Sequence, residues 1–75
     1  MVSLWVETEA GTATAVARFF ESFGCQVVEG SGDYLRIGFP QASSEREAAA
    51  EARLYRSMRP RLGGRFRLAA GTANP

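Results

Sequence analysis

The segment CQVVEGSGDYLRIGFP, residues 25–40, contains two short strand patterns separated by a turn. In the second pattern, Leu35, Ile37 and Phe39 alternate with other residues, and this period of two predicts a strand with one buried face. The residues GSGD between the patterns tolerate the backbone angles of a tight turn. We therefore predict a β-hairpin whose second strand ends at Pro40.

A strand and a helix precede this hairpin. The segment VSLWVE, residues 2–7, alternates in the same way and predicts a strand. Apolar residues then recur at helical spacing from Ala13 to Phe23, which predicts a helix with one apolar stripe. Gly24 follows directly and adopts without steric cost the left-handed conformation that ends many helices.

A second helix and a fourth strand follow the hairpin. The segment SSEREAAAEARLYRSMR, residues 43–59, opens with Ser44 and Glu47 at the spacing of a capping box, and strong helix formers fill its interior. The segment RFRLA, residues 65–69, predicts a short strand. The element order is therefore strand, helix, strand, strand, helix, strand.

This order predicts one α+β domain at residues 1–70 with the ferredoxin-like βαββαβ fold. In that fold a four-stranded antiparallel sheet, in spatial order 4-1-3-2, carries two helices on one face. Residues 71–75 are predicted to form a flexible C-terminal tail. We expect a core that includes Phe20, Phe23, Leu35, Ile37, Leu54 and Leu68.

The composition excludes several classes of protein. There is no histidine and only one cysteine, so the commonest general base and the commonest metal ligands are missing. We therefore predict no catalytic residues, no metal site and no cofactor. No apolar run approaches the ~18 residues of a membrane helix, and no signal peptide is visible, so we expect a cytoplasmic protein without membrane contact.

Charge is distributed unevenly along the sequence. Residues 1–51 contain three arginines and all eight acidic residues, a sum of −5, whereas residues 52–75 contain six arginines and no acid, a sum of +6. Such asymmetry is typical of a surface that attracts anions. It is equally consistent with a fold in which the two ends of the chain neutralise each other.

The segment ETEAGTATAVARFFESFGCQVVEG resembles the opening of an ACT domain, a small regulatory module that binds ligands. The match lies in Gly11 and Gly24, which bracket the helix. The resemblance implies a ligand site at the first loop, formed by Gly11, Thr12 and Ala13, where free amides at the start of a helix favour an anion such as an amino acid. The alternative is that Gly11 only makes the turn.

The uncovered face of the predicted sheet offers a second candidate surface, formed by Trp5, Tyr34, Arg36, Arg65 and Arg67. Aromatic residues beside arginines on this element order resemble an RNA recognition motif, which stacks bases on its central strands. The other interpretation is that a second subunit covers the face. We therefore expect a homodimeric, non-enzymatic regulatory module that binds a small ligand or a protein, with a nucleic-acid-binding module as the alternative.

Enzymatic interpretations are weaker. Glu7, Glu9, Glu29 and Asp33 lie near strand ends, but no histidine or lysine accompanies them. The segment ARFFESFGCQVVEG also resembles glyoxalase-type metalloenzymes, which need histidine ligands and would have strand at residues 42–58. Cys25 is either a reactive thiol or a small buried apolar residue. A third hypothesis is that the chain is a subunit or fragment of a larger enzyme system.

Overall fold

The computed structural model describes residues 1–69 of the chain, and the predicted tail at residues 71–75 lies outside them. The strands are β1 (Val2–Thr8), β2 (Gln26–Ser31), β3 (Tyr34–Phe39) and β4 (Phe66–Leu68). The helices are α1 (Ala13–Ser22), α2 (Glu45–Met58) and α3 (Pro60–Gly63). The predicted α+β class is confirmed, and residues 45–58 form a helix rather than the strand of glyoxalase-type proteins.

The four strands form one antiparallel sheet in the order β2-β3-β1-β4. β1 pairs with β3 along most of its length, from Val2 opposite Phe39 to Glu7 opposite Tyr34. It also pairs with the short β4, where Thr8 lies opposite Phe66. β1, at the N-terminus, therefore lies between β3 of the hairpin and β4 from the C-terminal part of the chain.

One face of the sheet packs against the helices and forms the core. The buried residues of this core are Leu4, Val6, Leu35, Ile37, Phe39 and Phe66 from the sheet side, Val16, Phe19 and Phe20 from α1, and Ala48 and Ala52 from α2. Among residues 1–69, no helix covers the opposite side of the sheet. We call this uncovered side, together with the residues that continue it beyond the strand ends, the sheet face; it carries Met1, Ser3, Trp5, Glu7, Glu9, Gln26, Val28, Glu29, Tyr34, Arg36, Gly38, Arg65 and Arg67.

Five of the six predicted core residues pack into or against the core, and one does not. Phe20, Leu35 and Ile37 are buried, while Phe23 and Leu68 are half-buried. The prediction for Leu54 is wrong, because this side chain is 56% exposed. 

The geometry of α2 explains the exposure of Leu54. Ala48 and Ala52 are four residues apart, so both point into the core from the same side of the helix. Leu54 follows Ala52 by two residues, which places it about 200° around the helix and therefore on the outer side. The small alanines let α2 lie close to the sheet.

The end of α1 has the hydrogen bonds of a Schellman motif. Gly24 has φ +86°, its amide donates to the carbonyl of Glu21, and the amide of Cys25 donates to the carbonyl of Phe20. This turn reverses the chain and delivers Cys25 to the core at the start of β2.

The sequence pattern did not predict α3, a single turn that begins at Pro60, a favourable first helical residue. α3 packs on the last turns of α2 through Gly63, where a Cβ would lie 2.5 Å from Cγ and 2.7 Å from Cα of Arg56. The Arg56 guanidinium lies 4.7 Å from the centroid of the Phe66 ring and donates a 2.8 Å hydrogen bond to the Phe66 carbonyl. α2, α3 and β4 therefore meet at one close contact.

This contact predicts that Gly63→Ala destabilises the fold. The added Cβ overlaps the α2 backbone, which cannot move aside without disturbing Arg56, so the free energy of unfolding should fall by about 1–3 kcal/mol. Urea denaturation followed by circular dichroism at fixed protein concentration measures the change.

Gly64→Ala is the matched control. At Gly64 the φ is −74°, which alanine adopts freely, and the nearest atom to a Cβ is the Pro60 carbonyl oxygen at 3.3 Å. We expect its stability to change by less than about 1 kcal/mol in either direction. Equal stabilities of the two variants would contradict the close packing of α3 on α2.

Candidate functional site

The strand register places the predicted aromatic and basic residues together on the sheet face. Trp5 lies opposite Arg36 across β1 and β3, and Glu7 lies opposite Tyr34 in the same pairing. On the other side of β1, Glu7 lies opposite Arg67. These residues alternate with the buried ones, so their side chains project away from the core.

Arg36 is held by two neighbours on the sheet face. Its Nη1 lies 3.0 Å from Oε1 of Glu29 on β2, and its Nε donates a 2.9 Å hydrogen bond to Oγ of Ser3 on β1. The guanidinium therefore bridges three strands beside Trp5.

The two arginines nearest the C-terminus pair with acids from the N-terminal strand. Arg67 donates to Oε1 of Glu7 at 2.8 Å, and Arg65 donates to Oε1 of Glu9 at 2.7 Å. The amide of Glu9 also donates to the carbonyl of Arg65, which extends the β1–β4 ladder by one residue pair. At these positions the two ends of the chain neutralise each other, as the second interpretation of the charge asymmetry proposes.

Apolar side chains complete the sheet face. Trp5 is half-buried, Tyr34 is 43% exposed and Val28 is 46% exposed. Met1 and Val28 lie over Gly38, where a Cβ would be 2.5 Å from the Met1 methyl carbon and 3.2 Å from a Val28 methyl carbon. The sequence pattern did not place Val28 here because an irregularity in β2 between Val27 and Glu29 breaks the alternation.

The loop predicted to bind a ligand is a compact turn. Gly11 has φ +80°, and the amide and hydroxyl of Thr12 both donate to the carbonyl of Glu9, at 3.0 and 2.6 Å. The Thr12 amide is therefore engaged within the turn. Among residues 1–69, the Ala13 amide makes none of these turn hydrogen bonds, and the Thr12 side chain does not cap α1.

A concave surface lies beside this loop, between α1 and α3. We call it the α1–α3 groove; it is lined chiefly by Gly11, Thr14, Arg18, Phe19, Arg59 and Leu62. Gly11 is thus the one predicted ligand residue that lines it. Arg18 and Arg59 were not predicted as site residues, because the two are brought together only by the packing of α3 against α1.

Cys25 and Tyr55 lie near Glu51 on the core side of α2. The Tyr55 ring stacks on Phe23 with centroids 4.3 Å apart, and its hydroxyl donates a 2.7 Å hydrogen bond to Oε1 of Glu51. Burial and the nearby Glu51 carboxylate raise the pKa of Cys25 to about 11, and burial and Glu51 also raise the pKa of Tyr55 to about 12. Both groups are therefore neutral near pH 7.

Three of the four acidic side chains near strand ends are engaged in ion pairs, whereas the fourth residue, Asp33, contacts Thr8 through its backbone. Glu7, Glu9 and Glu29 are in the ion pairs of the sheet, and the Asp33 carbonyl accepts hydrogen bonds from the amide and hydroxyl of Thr8. Within residues 1–69, no group of three or more Asp, Glu, Cys or His residues is arranged to hold a metal ion. No helix in the described part of the chain is long and apolar enough to cross a membrane.

Comparison with protein-family models, with curated proteins and with solved structures found no match to this chain. The two surfaces that bear on function are therefore the sheet face and the α1–α3 groove.

The buried environment of Cys25 predicts a thiol that reacts slowly with disulfide reagents. Its pKa of about 11, against an ordinary value of 9.0, lowers the thiolate fraction at pH 8 about 100-fold. The thiol of the folded protein should react with a disulfide reagent such as DTNB at least about tenfold more slowly than the thiol of the unfolded protein, because the greater nucleophilicity of a higher-pKa thiolate offsets only part of the smaller thiolate fraction. Reaction rates without and with denaturant measure the difference, and equal rates would contradict burial.

The raised pKa also sets a pH dependence of stability. Above about pH 9 the unfolded state releases the Cys25 proton while the folded state keeps it, so the free energy of unfolding should fall as pH rises toward about 11. Cys25→Ala should make this fall shallower, and Tyr55 should supply the remainder. An unchanged pH profile in the variant would show that Cys25 does not contribute.

Proposed function

We propose that this protein is a non-enzymatic interaction module with the ferredoxin-like fold, that it acts as a cytoplasmic homodimer through the sheet face, and that it binds a small anionic ligand. The strand order β2-β3-β1-β4, with both long helices packed on one side of the sheet, supports the fold assignment. The resemblance of about residues 2–30 to ACT domains supports a regulatory role.

The observation that carries the dimer is the charge balance of the sheet face. Each of its three arginines pairs with a glutamate from a neighbouring strand, namely Arg36 with Glu29, Arg65 with Glu9 and Arg67 with Glu7. The six charges cancel. A face that binds a polyanion would instead carry a net positive charge.

The apolar residues of the sheet face give a dimer its driving force. Trp5, Tyr34, Val28 and Met1 expose apolar surface between the ion pairs. Tryptophan, tyrosine and arginine are enriched at the centres of protein interfaces. Full burial of one large apolar side chain contributes roughly 1.5–3 kcal/mol, a large amount for a 75-residue domain.

A second copy of the chain suits this face better than a strongly charged partner does. In a two-fold contact the same patch meets itself, so a neutral patch with both signs interspersed avoids net repulsion and can match its own charges. The exposed ion pairs contribute little to the stability of the monomer, so they are free to rearrange across an interface.

The homodimer predicts that Val28→Glu disrupts association. A glutamate within the sheet face would be desolvated beside its two-fold mate, so the variant should be monomeric where the wild type is dimeric. Light scattering at about 10–100 µM protein measures the mass, since dimers dissociate on dilution. Emission from Trp5 should shift to the red on dilution of the wild type.

Leu54→Glu is the matched control, because Leu54 is similarly exposed but lies on the outer side of α2. This variant should remain dimeric. A wild type that is monomeric throughout, or a loss of dimer in Leu54→Glu alone, would contradict the proposal. Binding of a mixed single-stranded RNA pool with a steep salt dependence would favour the nucleic-acid-binding module instead.

A further inference from the structure

The α1–α3 groove has the dimensions and lining of a small-molecule site. Its volume is about 520 Å³, within the ~300–1,000 Å³ typical of ligand pockets. Leu62, which packs against the core, and Ala15 supply apolar surface, whereas Phe19 is itself buried. Arg18 from α1 and Arg59, the residue between α2 and α3, supply two positive charges.

The charge of this groove differs from that of the sheet face. No salt bridge within residues 1–69 involves Arg18 or Arg59, and none of the residues that line the groove is acidic. The Arg59 guanidinium lies 5.9 Å from the centroid of the Phe23 ring, which orients the cation but leaves its charge uncompensated. The groove therefore carries two positive charges with no acid to balance them.

We propose that the α1–α3 groove binds a small organic anion, with its carboxylate or phosphate between Arg18 and Arg59 and its apolar part against Leu62 and Ala15. Guanidinium groups match the geometry of carboxylate and phosphate oxygens and form charge-assisted hydrogen bonds with both. The apolar residues beside the arginines favour a ligand with an aromatic or aliphatic body over a bare inorganic ion.

The lining also selects against amino acids. An α-ammonium group would be repelled by Arg18 and Arg59, and no acidic side chain lines the groove to offset that repulsion. An acid without the ammonium group should therefore bind more tightly than the corresponding amino acid. This inference rests on the ligand-binding part of the proposed function and is independent of the homodimer.

Titration of the isotopically labelled full chain with three probes tests the ligand class. The probes are 3-phenylpropionate, phenyl phosphate and phenylalanine, and amide chemical shifts are the readout. We expect 3-phenylpropionate or phenyl phosphate to shift the amide signals of Gly11, Thr14 and Leu62. Phenylalanine should bind at least about tenfold more weakly than the tighter of the two, because the arginines repel its ammonium group. The ratio of the affinities for 3-phenylpropionate and phenyl phosphate distinguishes a carboxylate site from a phosphate site.

Two double variants test the arginines. Arg18→Gln with Arg59→Gln removes both groove charges, whereas Arg46→Gln with Arg53→Gln removes two charges from exposed positions of α2. The first pair should weaken binding of the tighter probe at least about tenfold, and the second should leave it unchanged. All four arginines are exposed, so neither double variant should unfold the domain.

Three results would overturn the proposal. They are the absence of any shift at millimolar probe, an equal loss of affinity in both double variants, and binding of phenylalanine as tight as that of 3-phenylpropionate. Light scattering on the same samples reports the oligomeric state separately. A monomer that binds 3-phenylpropionate at the groove would contradict the homodimer alone, and a dimer that binds no probe would contradict this site alone.

Discussion

The position of Phe66 is the constraint on which both candidate surfaces depend. Its ring lies 5.5 Å from that of Phe19 and 4.8 Å from that of Phe20, while the Arg56 guanidinium of α2 lies over it. One side chain thus joins α1, α2 and the sheet. β4 contains only three residues, too few to pair stably by hydrogen bonds alone, so the burial of Phe66 is what holds β4 against β1.

The burial of Phe66 fixes where the neighbouring residues in the chain lie, and these residues contribute to both candidate surfaces. The residues that flank Phe66, Arg65 and Arg67, point to the sheet face because side chains alternate along a strand, and there they meet Glu9 and Glu7. Before Phe66 the chain must turn tightly from α2, and α3 makes that turn and forms one wall of the groove. The burial of Phe66 therefore places Arg65 and Arg67 beside acids on the neutral sheet face, and it places α3 beside the basic groove.

The element types could be predicted from the sequence because each long segment has a clear period and a clear end signal. α3 could not be predicted in this way, because its four residues, Pro60–Gly63, are too few to show a periodicity. Leu54 was misplaced because leucine is a more typical core residue than alanine, whereas close packing of α2 favours Ala48 and Ala52. The ion pairs depend on the register of β4 on β1, which joins residues nearly sixty positions apart and has no local signal.

The arginines of the basic stretch RPRLGGRFR, residues 59–67, have two roles that depend on where each one lies in the fold. Arg65 and Arg67 lie at the sheet and are neutralised by acids there, whereas Arg61 in α3 and Arg59 just before it have no salt bridge within residues 1–69. Acids are absent after residue 51, so only chain segments from the N-terminal part can neutralise these arginines. Glu7 and Glu9, in and just after β1, pair with Arg67 and Arg65. The part of α1 beside α3 supplies no acid there but a further positive charge, Arg18. The excess positive charge of the C-terminal part thus remains beside α3, where an anion is the partner that would balance it.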